Sequence, residues 1–343
     1  MVERYANLDI QRVNTLSLVM PVYGPAPYLL AAIESVYKSR NVEIEFILVL
    51  DRCTNSDFQE AIQISPRNIE IKVIYSDYPG IVPALNLGIA VAKYELIARL
   101  DSDDLVTPDR LHNQVEFLNS FKEVVCVGTQ LIFIDESGSE FGYTKYPTDH
   151  KHILERMNYQ NCIAHPSVMF RKSAVERVGG YREIFTGSED YDLWLRLSEI
   201  GELSNLPLEL TKYRRSIFQF TNQLESKQPI TDSATRISGA MRMLNIVENF
   251  PEESTLLGEY NSQNISKIRL IDSKVSDMLI AANYLNQAYR ARSKISSRNI
   301  GITKVAQSLL LAGWFSPSLL LSFMRGHFRF RSVRGQFSKR SRK

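Results

Sequence analysis

The chain has 343 residues, 44% of them hydrophobic, which is enough for a sizeable core and suggests one large domain with an appendage, or two domains. Its three cysteines, Cys53, Cys126 and Cys162, are an odd number without metal-ligand spacing; they argue against a disulfide framework and for a reducing compartment. The net charge of +3 is unevenly spread: up to Asp277 there are 28 basic against 38 acidic side chains, and beyond it 13 basic and none acidic, so the body is no general nucleic-acid binder while the tail suits an anionic partner.

No basic segment followed by an apolar core opens the sequence, so no secretory leader is expected and a cytoplasmic protein is. Leu16 to Met20 reads as a first strand, ending at Pro21. From Pro27 onward, Leu30, Ile33, Val36 and Tyr37 predict a helix with one apolar face. Ile44 to Leu50 and Ile69 to Tyr75 are further strands, the first ending on Asp51 and the second near Asp77. Pro83 to Lys93 reads as a helix with its proline in a tolerated early position. Leu96 to Leu100 is a fourth strand. This alternation predicts an α/β fold with a mainly parallel sheet and helices on both faces.

The fourth strand stops on Asp101-Ser102-Asp103-Asp104, three carboxylates in four positions. Like charges this close repel unless a cation sits among them, and oxygen ligands favour a hard divalent ion, Mg²⁺ or Mn²⁺. Ligands of open α/β sheets also gather at the carboxyl ends of strands. The plainer alternative is an acidic turn capping a helix that begins near Thr107 or Asp109. Neither a Walker A sequence nor a dinucleotide fingerprint follows the first strand, so a cation rather than a glycine-rich loop would carry the charge of any bound phosphate.

Several spaced stretches together carry a resemblance. Val19-Met20-Pro21-Val22-Tyr23, Asp51, Ala84-Leu85-Asn86-Leu87-Gly88 and Ile97 to Asp104 come first. His165-Pro166-Ser167-Val168-Met169-Phe170-Arg171, Gly179-Gly180-Tyr181, Glu189 to Arg196 and Tyr213-Arg214 follow. In this order they resemble the family 2 glycosyltransferases, inverting enzymes of the GT-A (Rossmann-like) fold, over roughly residues 15 to 216. The resemblance implies a GT-A catalytic domain over residues 1–220. It also implies donor contacts from Pro21, Val22, Tyr23, Asp51, Asp77, Asp101, Asp103 and Arg214. Asp103 and Asp101 would hold Mn²⁺ or Mg²⁺, Asp190 would act as general base with Glu189 in support, and His165 and Trp194 would contact the acceptor.

Each residue also has a plainer reading. Asp51 could cap a turn, Glu189 and Asp190 could stabilise a helix N-terminus, and His165 and Trp194 could be structural residues beside the core. Asp104 makes the motif a DxDD variant, similar to bacterial O-antigen enzymes that extend a lipid-diphosphate-linked amino sugar; it could equally cap the next turn. Two positions depart from the family pattern: Gly24 where a polar residue is usual, and Ser216 where many relatives carry histidine.

Beyond residue 220 the resemblance fades, and a helical extension is expected over 221–324, with helices over 230–250 and 265–292. The uncharged stretch 305–324 is long enough to span a bilayer, but Pro317, Gly313, Gln307 and its serines favour two short amphipathic helices. The basic tail 325–343 interleaves Phe328, Phe330 and Phe337 with eight basic residues, suiting an anionic membrane surface and a peripheral place on the inner face of the cell membrane. The implied activity is transfer of a hexose from a UDP-sugar to a polyprenyl-diphosphate-linked saccharide in surface-polysaccharide assembly. No nucleic-acid partner is expected. The alternatives are a phosphatase of the haloacid dehalogenase type and a non-catalytic nucleotide-sugar-binding relative.

Overall fold

The computed structural model describes residues 14–53, 59, 62, 65–157, 160–215 and 235. The expected helices over 230–250 and 265–292, the stretch 305–324, the basic tail and Ser216 lie outside them, apart from Thr235. Strands β1 (Thr15–Tyr23), β2 (Glu43–Asp51), β3 (Ile69–Tyr75) and β4 (Leu96–Arg99) form the parallel half of one sheet, in the order β3-β2-β1-β4. Helices α1 (Leu29–Tyr37) and α2 (Ile81–Val91) lie on the β1–β2 and β3–β4 connections. The sheet continues through β8 (Met169–Arg171), β6 (Val124–Ile134), β9 (Glu202–Arg214) and β5 (Leu105–Val106), with β7 (Glu140–Tyr143) beside β6. In this second half the β6–β9 pair is parallel, and β8, β5 and β7 run antiparallel to their neighbours.

The residue period of the strands divides the core in two. Leu16, Leu18, Met20 and Val22 of β1 point to one face, where α1 and α3 (Arg110–Ser120) cover them. Val19, Ile47 and Val49 point to the other, under α2, α4 (His150–Met157), α5 (Lys172–Arg177) and α6 (Glu189–Leu197). Two details depart from expectation. The buried stripe of α1 is Leu29, Ala32, Ile33 and Val36, while Leu30 is 41% exposed, one position off the expected face. β1 also runs through Pro21 to Tyr23, because β4 accompanies it only from Ser17 to Val19, so a residue without an N–H costs no second ladder there.

Close approaches fix the helices that carry the motifs. An added Cβ on Gly88 would lie 2.4 Å from Val19 Cγ1, so α2 rests on β1 as only glycine permits. Asn86 on the same helix clamps the 179–181 turn: its Nδ2 donates to Tyr181 O (2.9 Å) and its Oδ1 accepts from Tyr181 N (2.9 Å). Gly179 and Gly180 make that turn with φ of +83° and +71°. The Ala84–Gly88 and Gly179–Tyr181 stretches, distant in sequence, are thus one contact.

Candidate active site

The carboxyl ends of β1, β2 and β4 open into a cleft of about 650 Å³, whose opposite wall is the 161–166 segment and the start of α6. Pro21, Val22, Tyr23, Asp51, Asp101, Asp103, His165, Glu189 and Asp190 all line it. Asp51 is 4% exposed and accepts from Gly80 N–H through Oδ2 (2.7 Å), tying the end of β2 to the start of α2. The next residue, Arg52, takes a left-handed φ of +50° and also faces the cleft.

At the acidic cluster, Arg99 supplies the counter-charge. Its Nη1 donates to Asp101 Oδ2 (2.7 Å) and its Nη2 pairs with Oδ1. Burial, reinforced by the charge of Asp101, pushes Asp103 up to about 7. Burial and the two neighbouring carboxylates also raise Asp104 well above the usual range. One oxygen from each of Asp101, Asp103 and Asp104 lies within 4.8 Å of the others, and Asp104 Oδ2 is buried with no hydrogen-bond partner among the described residues. Such crowded oxygen ligands fit a hard divalent cation. Asp104 Oδ1 meanwhile accepts from Arg214 N–H (2.8 Å), so this carboxylate also anchors the loop to β9.

On the far wall, Asp190 Oδ2 accepts from Asn161 Nδ2 (2.8 Å) and Oδ1 from Tyr191 N–H (2.7 Å). Glu189 accepts from Gly187 N–H (2.6 Å), and burial raises its carboxyl group. His165 Nε2 meets Tyr181 Oη at 2.8 Å; burial, with help from the Arg99 charge, holds its ring well below its ordinary value and therefore neutral. Helix α6 is locked by Asp192, wholly buried between two arginines: Arg182 Nε at 3.1 Å and Arg196 Nη2 at 2.6 Å. Beneath the Glu189-Asp190 turn, Ser188 Oγ lies 2.9 Å from Thr235 Oγ1, both side chains fully enclosed.

Three expected contacts do not form part of the cleft wall. Trp194 is fully buried, edge-on to His165 with ring centroids 5.9 Å apart, so it backs the site rather than facing it. Arg214 is 4% exposed and donates to the carbonyls of Asp103 (2.9 Å), Asp135 (2.9 Å) and Glu136 (3.1 Å); it braces the acidic loop. Asp77 is exposed beyond β3, outside the cleft. Conversely, Arg99, Asn161, Phe133, Tyr213 and Arg215 line the cleft without having been expected there. The sole sequence signal for Arg215 is its place directly after the Tyr213-Arg214 stretch of the resemblance.

Comparison with known proteins finds several similar chains. A family model described as glycosyl transferase family 2 matches residues 17–179. Over 202 residues, 58% of this chain, the protein is 31% identical to the O-antigen biosynthesis glycosyltransferase WbnJ of Escherichia coli, covering 77% of it. It is 35% identical over 136 residues, 39% of this chain, to the amylovoran biosynthesis glycosyltransferase AmsE of Erwinia amylovora, covering half of that relative. Among solved structures, S. aureus TarS 1-349 in complex with UDP superposes with a TM-score of 0.55 at 14% identity, over 91% of this chain and 92% of that one. That last likeness is one of fold.

Proposed function

The chain belongs to the family 2 glycosyltransferases, and on that premise we propose that it transfers a hexose, with inversion, from a UDP-sugar to a lipid-diphosphate-linked saccharide in the assembly of a bacterial surface polysaccharide. The observation that carries this reading is the facing of two carboxylate groups across one cleft: Asp51, Asp101 and Asp103 on the strand ends, Glu189 and Asp190 on the helix opposite. The two relatives named for O-antigen and amylovoran biosynthesis support the polysaccharide context, and the UDP held by TarS supports the donor nucleotide. The hexose is glucose, galactose or N-acetylglucosamine.

In this mechanism Pro21, Val22 and Tyr23 flank the base, and Asp51 accepts hydrogen bonds from the base or ribose. Asp101 and Asp103 would hold Mn²⁺ or Mg²⁺. A bound divalent ion supplies charge stabilisation for the departing diphosphate. Asp190 takes the proton of the attacking hydroxyl, on the side of the cleft away from Asp101, as an in-line displacement requires. Asn161 and the Tyr191 N–H hold that carboxylate in place. Neutral His165 and buried Glu189 orient the acceptor. A phosphatase would need Asp101 as nucleophile, whereas both of its oxygens are engaged by Arg99. A non-catalytic relative would be expected to lack some of these carboxylates.

Among the described residues no helix is long and apolar enough to cross a membrane. The basic residues 325–343 would bring the enzyme to anionic headgroups at the cytoplasmic face, where its acceptor lies. The test is release of UDP from a panel of nucleotide sugars, with Mn²⁺ or with EDTA, in the presence of a synthetic lipid-diphosphate N-acetylhexosamine. Acceptor-dependent, EDTA-sensitive release from one uridine donor is the expected result. Turnover of a guanosine or thymidine donor alone would overturn the donor assignment.

A further inference from the structure

The β6–β7–β9 end of the sheet presents a feature that the donor site does not use. Phe133 of β6 stacks on Phe141 of β7, with centroids 5.9 Å apart and planes at 21°. Tyr213 of β9 stands edge-on to Phe133 at 6.2 Å. The Arg215 guanidinium lies over both rings, 5.1 Å from the centroid of Phe133 and 5.4 Å from that of Tyr213. Phe133, Tyr213 and Arg215 all line the cleft, and Phe141 continues the surface outward at 61% exposure.

A hydrophobic ladder of this kind is normally capped or paired. Here three successive strands place aromatic rings side by side, two of them on the cleft wall, because Phe133 and Tyr213 are register partners in the β6–β9 ladder. The cation on top is exposed, and among the described residues no carboxylate pairs with it. By contrast, its neighbour Arg214 is consumed by backbone carbonyls. A planar guanidinium fixed over ring faces is prepared for a phosphate oxygen pair, and flat ring faces suit the C–H face of a pyranose.

Resting on the glycosyltransferase reading, we propose that Phe133, Tyr213 and Arg215, extended by Phe141, form the acceptor subsite, taking a saccharide that carries phosphate, with its ring against the aromatic faces and its phosphate on Arg215. The wall is continuous with the cleft that holds Asp190, so an acceptor seated there reaches the base without leaving the protein surface.

The probe is farnesyl-diphosphate-linked N-acetylglucosamine, titrated calorimetrically into the full chain saturated with UDP and Mn²⁺; farnesyl diphosphate and N-acetylglucosamine 1-phosphate are titrated separately. The wild-type protein binds the complete probe more tightly than either part. Arg215→Gln weakens the complete probe by about tenfold or more, as expected for loss of a charged hydrogen-bond pair, with UDP affinity changed less than twofold. Phe141→Ala, at an exposed position that leaves the fold intact, weakens it by roughly threefold. Equal probe binding by wild type and both variants, or no probe binding by a wild-type protein that binds UDP, overturns the subsite. A fall in UDP affinity in Arg215→Gln assigns the arginine to the donor instead and overturns it as well. Failure of the wild type to bind UDP would bring down the donor reading itself.

Discussion

Arg99 and Asp101, two residues apart, form a two-point ion pair at the carboxyl end of β4, with Arg99 Nη1 2.7 Å from Asp101 Oδ2 and Nη2 paired with Oδ1. The strand that delivers the acidic cluster therefore also delivers its first counter-ion, buried to 4% side-chain exposure beneath it. Asp103 and Asp104 have no such fixed counter-ion among the described residues and are pushed toward protonation by burial and by the neighbouring carboxylates, so a further cation would be taken up in exchange for their protons.

Breaking that pair has a defined cost. Arg99→Met leaves Asp101 beside two other carboxylates without its fixed cation, and stability is expected to fall by about 3 kcal/mol, at the low end for a broken buried pair because Asp101 is partly solvated. Urea denaturation measures it, and an unchanged midpoint would show that the pair contributes nothing to the fold.

The acidic cluster also predicts how stability follows pH. Asp103 is raised from 3.8 to about 7 by burial first and by Asp101 second. Between those values the folded chain holds a proton that the unfolded chain has lost, so this group's contribution to stability is present at low pH and is lost as pH rises through about 7. A divalent cation selects the deprotonated carboxylate, so its stabilising effect should grow over the same window. Melting temperatures with Mn²⁺ and with EDTA, at pH 5 and pH 8, test this: the gap between them should be wider at pH 8. A wider gap at pH 5 would contradict the linkage.

Asp190→Asn keeps the hydrogen-bonding outline of the far wall but cannot accept a proton. Transfer is expected to drop by roughly 10²- to 10⁴-fold, with UDP affinity unchanged. Steady-state transfer and calorimetric UDP binding, made on the same preparation, separate these effects; retained transfer would remove Asp190 from the base position.

Gly180 offers a test remote from the charges. Its φ is +71°, and an added Cβ would lie 2.8 Å from Asn86 Oδ1, so Gly180→Ala must disturb the amide that clamps Tyr181. The expected cost is about 1–2 kcal/mol. Because Tyr181 Oη is the partner of His165 Nε2, the shift should reach the histidine and be visible in its ring NMR signals. Wild-type stability in this variant would mean that the turn has room to relax.

The parallel half of the sheet was legible because β1, β2 and β4 are covered on both faces and read as apolar runs, while the edge strand β3 still alternates apolar and polar residues. Ile69 to Tyr75 matches β3 at both ends. Asp101, Asp103, Glu189 and Asp190 stood out through the family resemblance, since a carboxylate that ends a strand or opens a helix is as often a cap, and the structure brings all four to one cleft. What the sequence could not show is the direction of individual side chains. Arg214 and Arg215 are adjacent and chemically identical, and only the crossing of β9 past the acidic loop decides that the first braces Asp103 while the second faces the cleft. Trp194 carries the same ambiguity on α6: its indole turns inward toward Phe170, at 6.4 Å between ring centroids, instead of toward solvent. Asn161, the partner of Asp190, stands 29 positions before it in an irregular segment where no period points to it.

The hydroxyl of Thr235 against Ser188 bears on how such enzymes can be recombined. Every motif of the family lies before residue 216, so an exchange of C-terminal halves between relatives looks like a clean splice. The turn that presents Glu189 and Asp190 nevertheless borrows one of its buried partners from beyond that seam. A graft that brought an aliphatic side chain to this position would leave the Ser188 hydroxyl enclosed without a partner, directly under the proposed base. Thr235 therefore has to be inherited together with the Glu189-Asp190 turn that it supports.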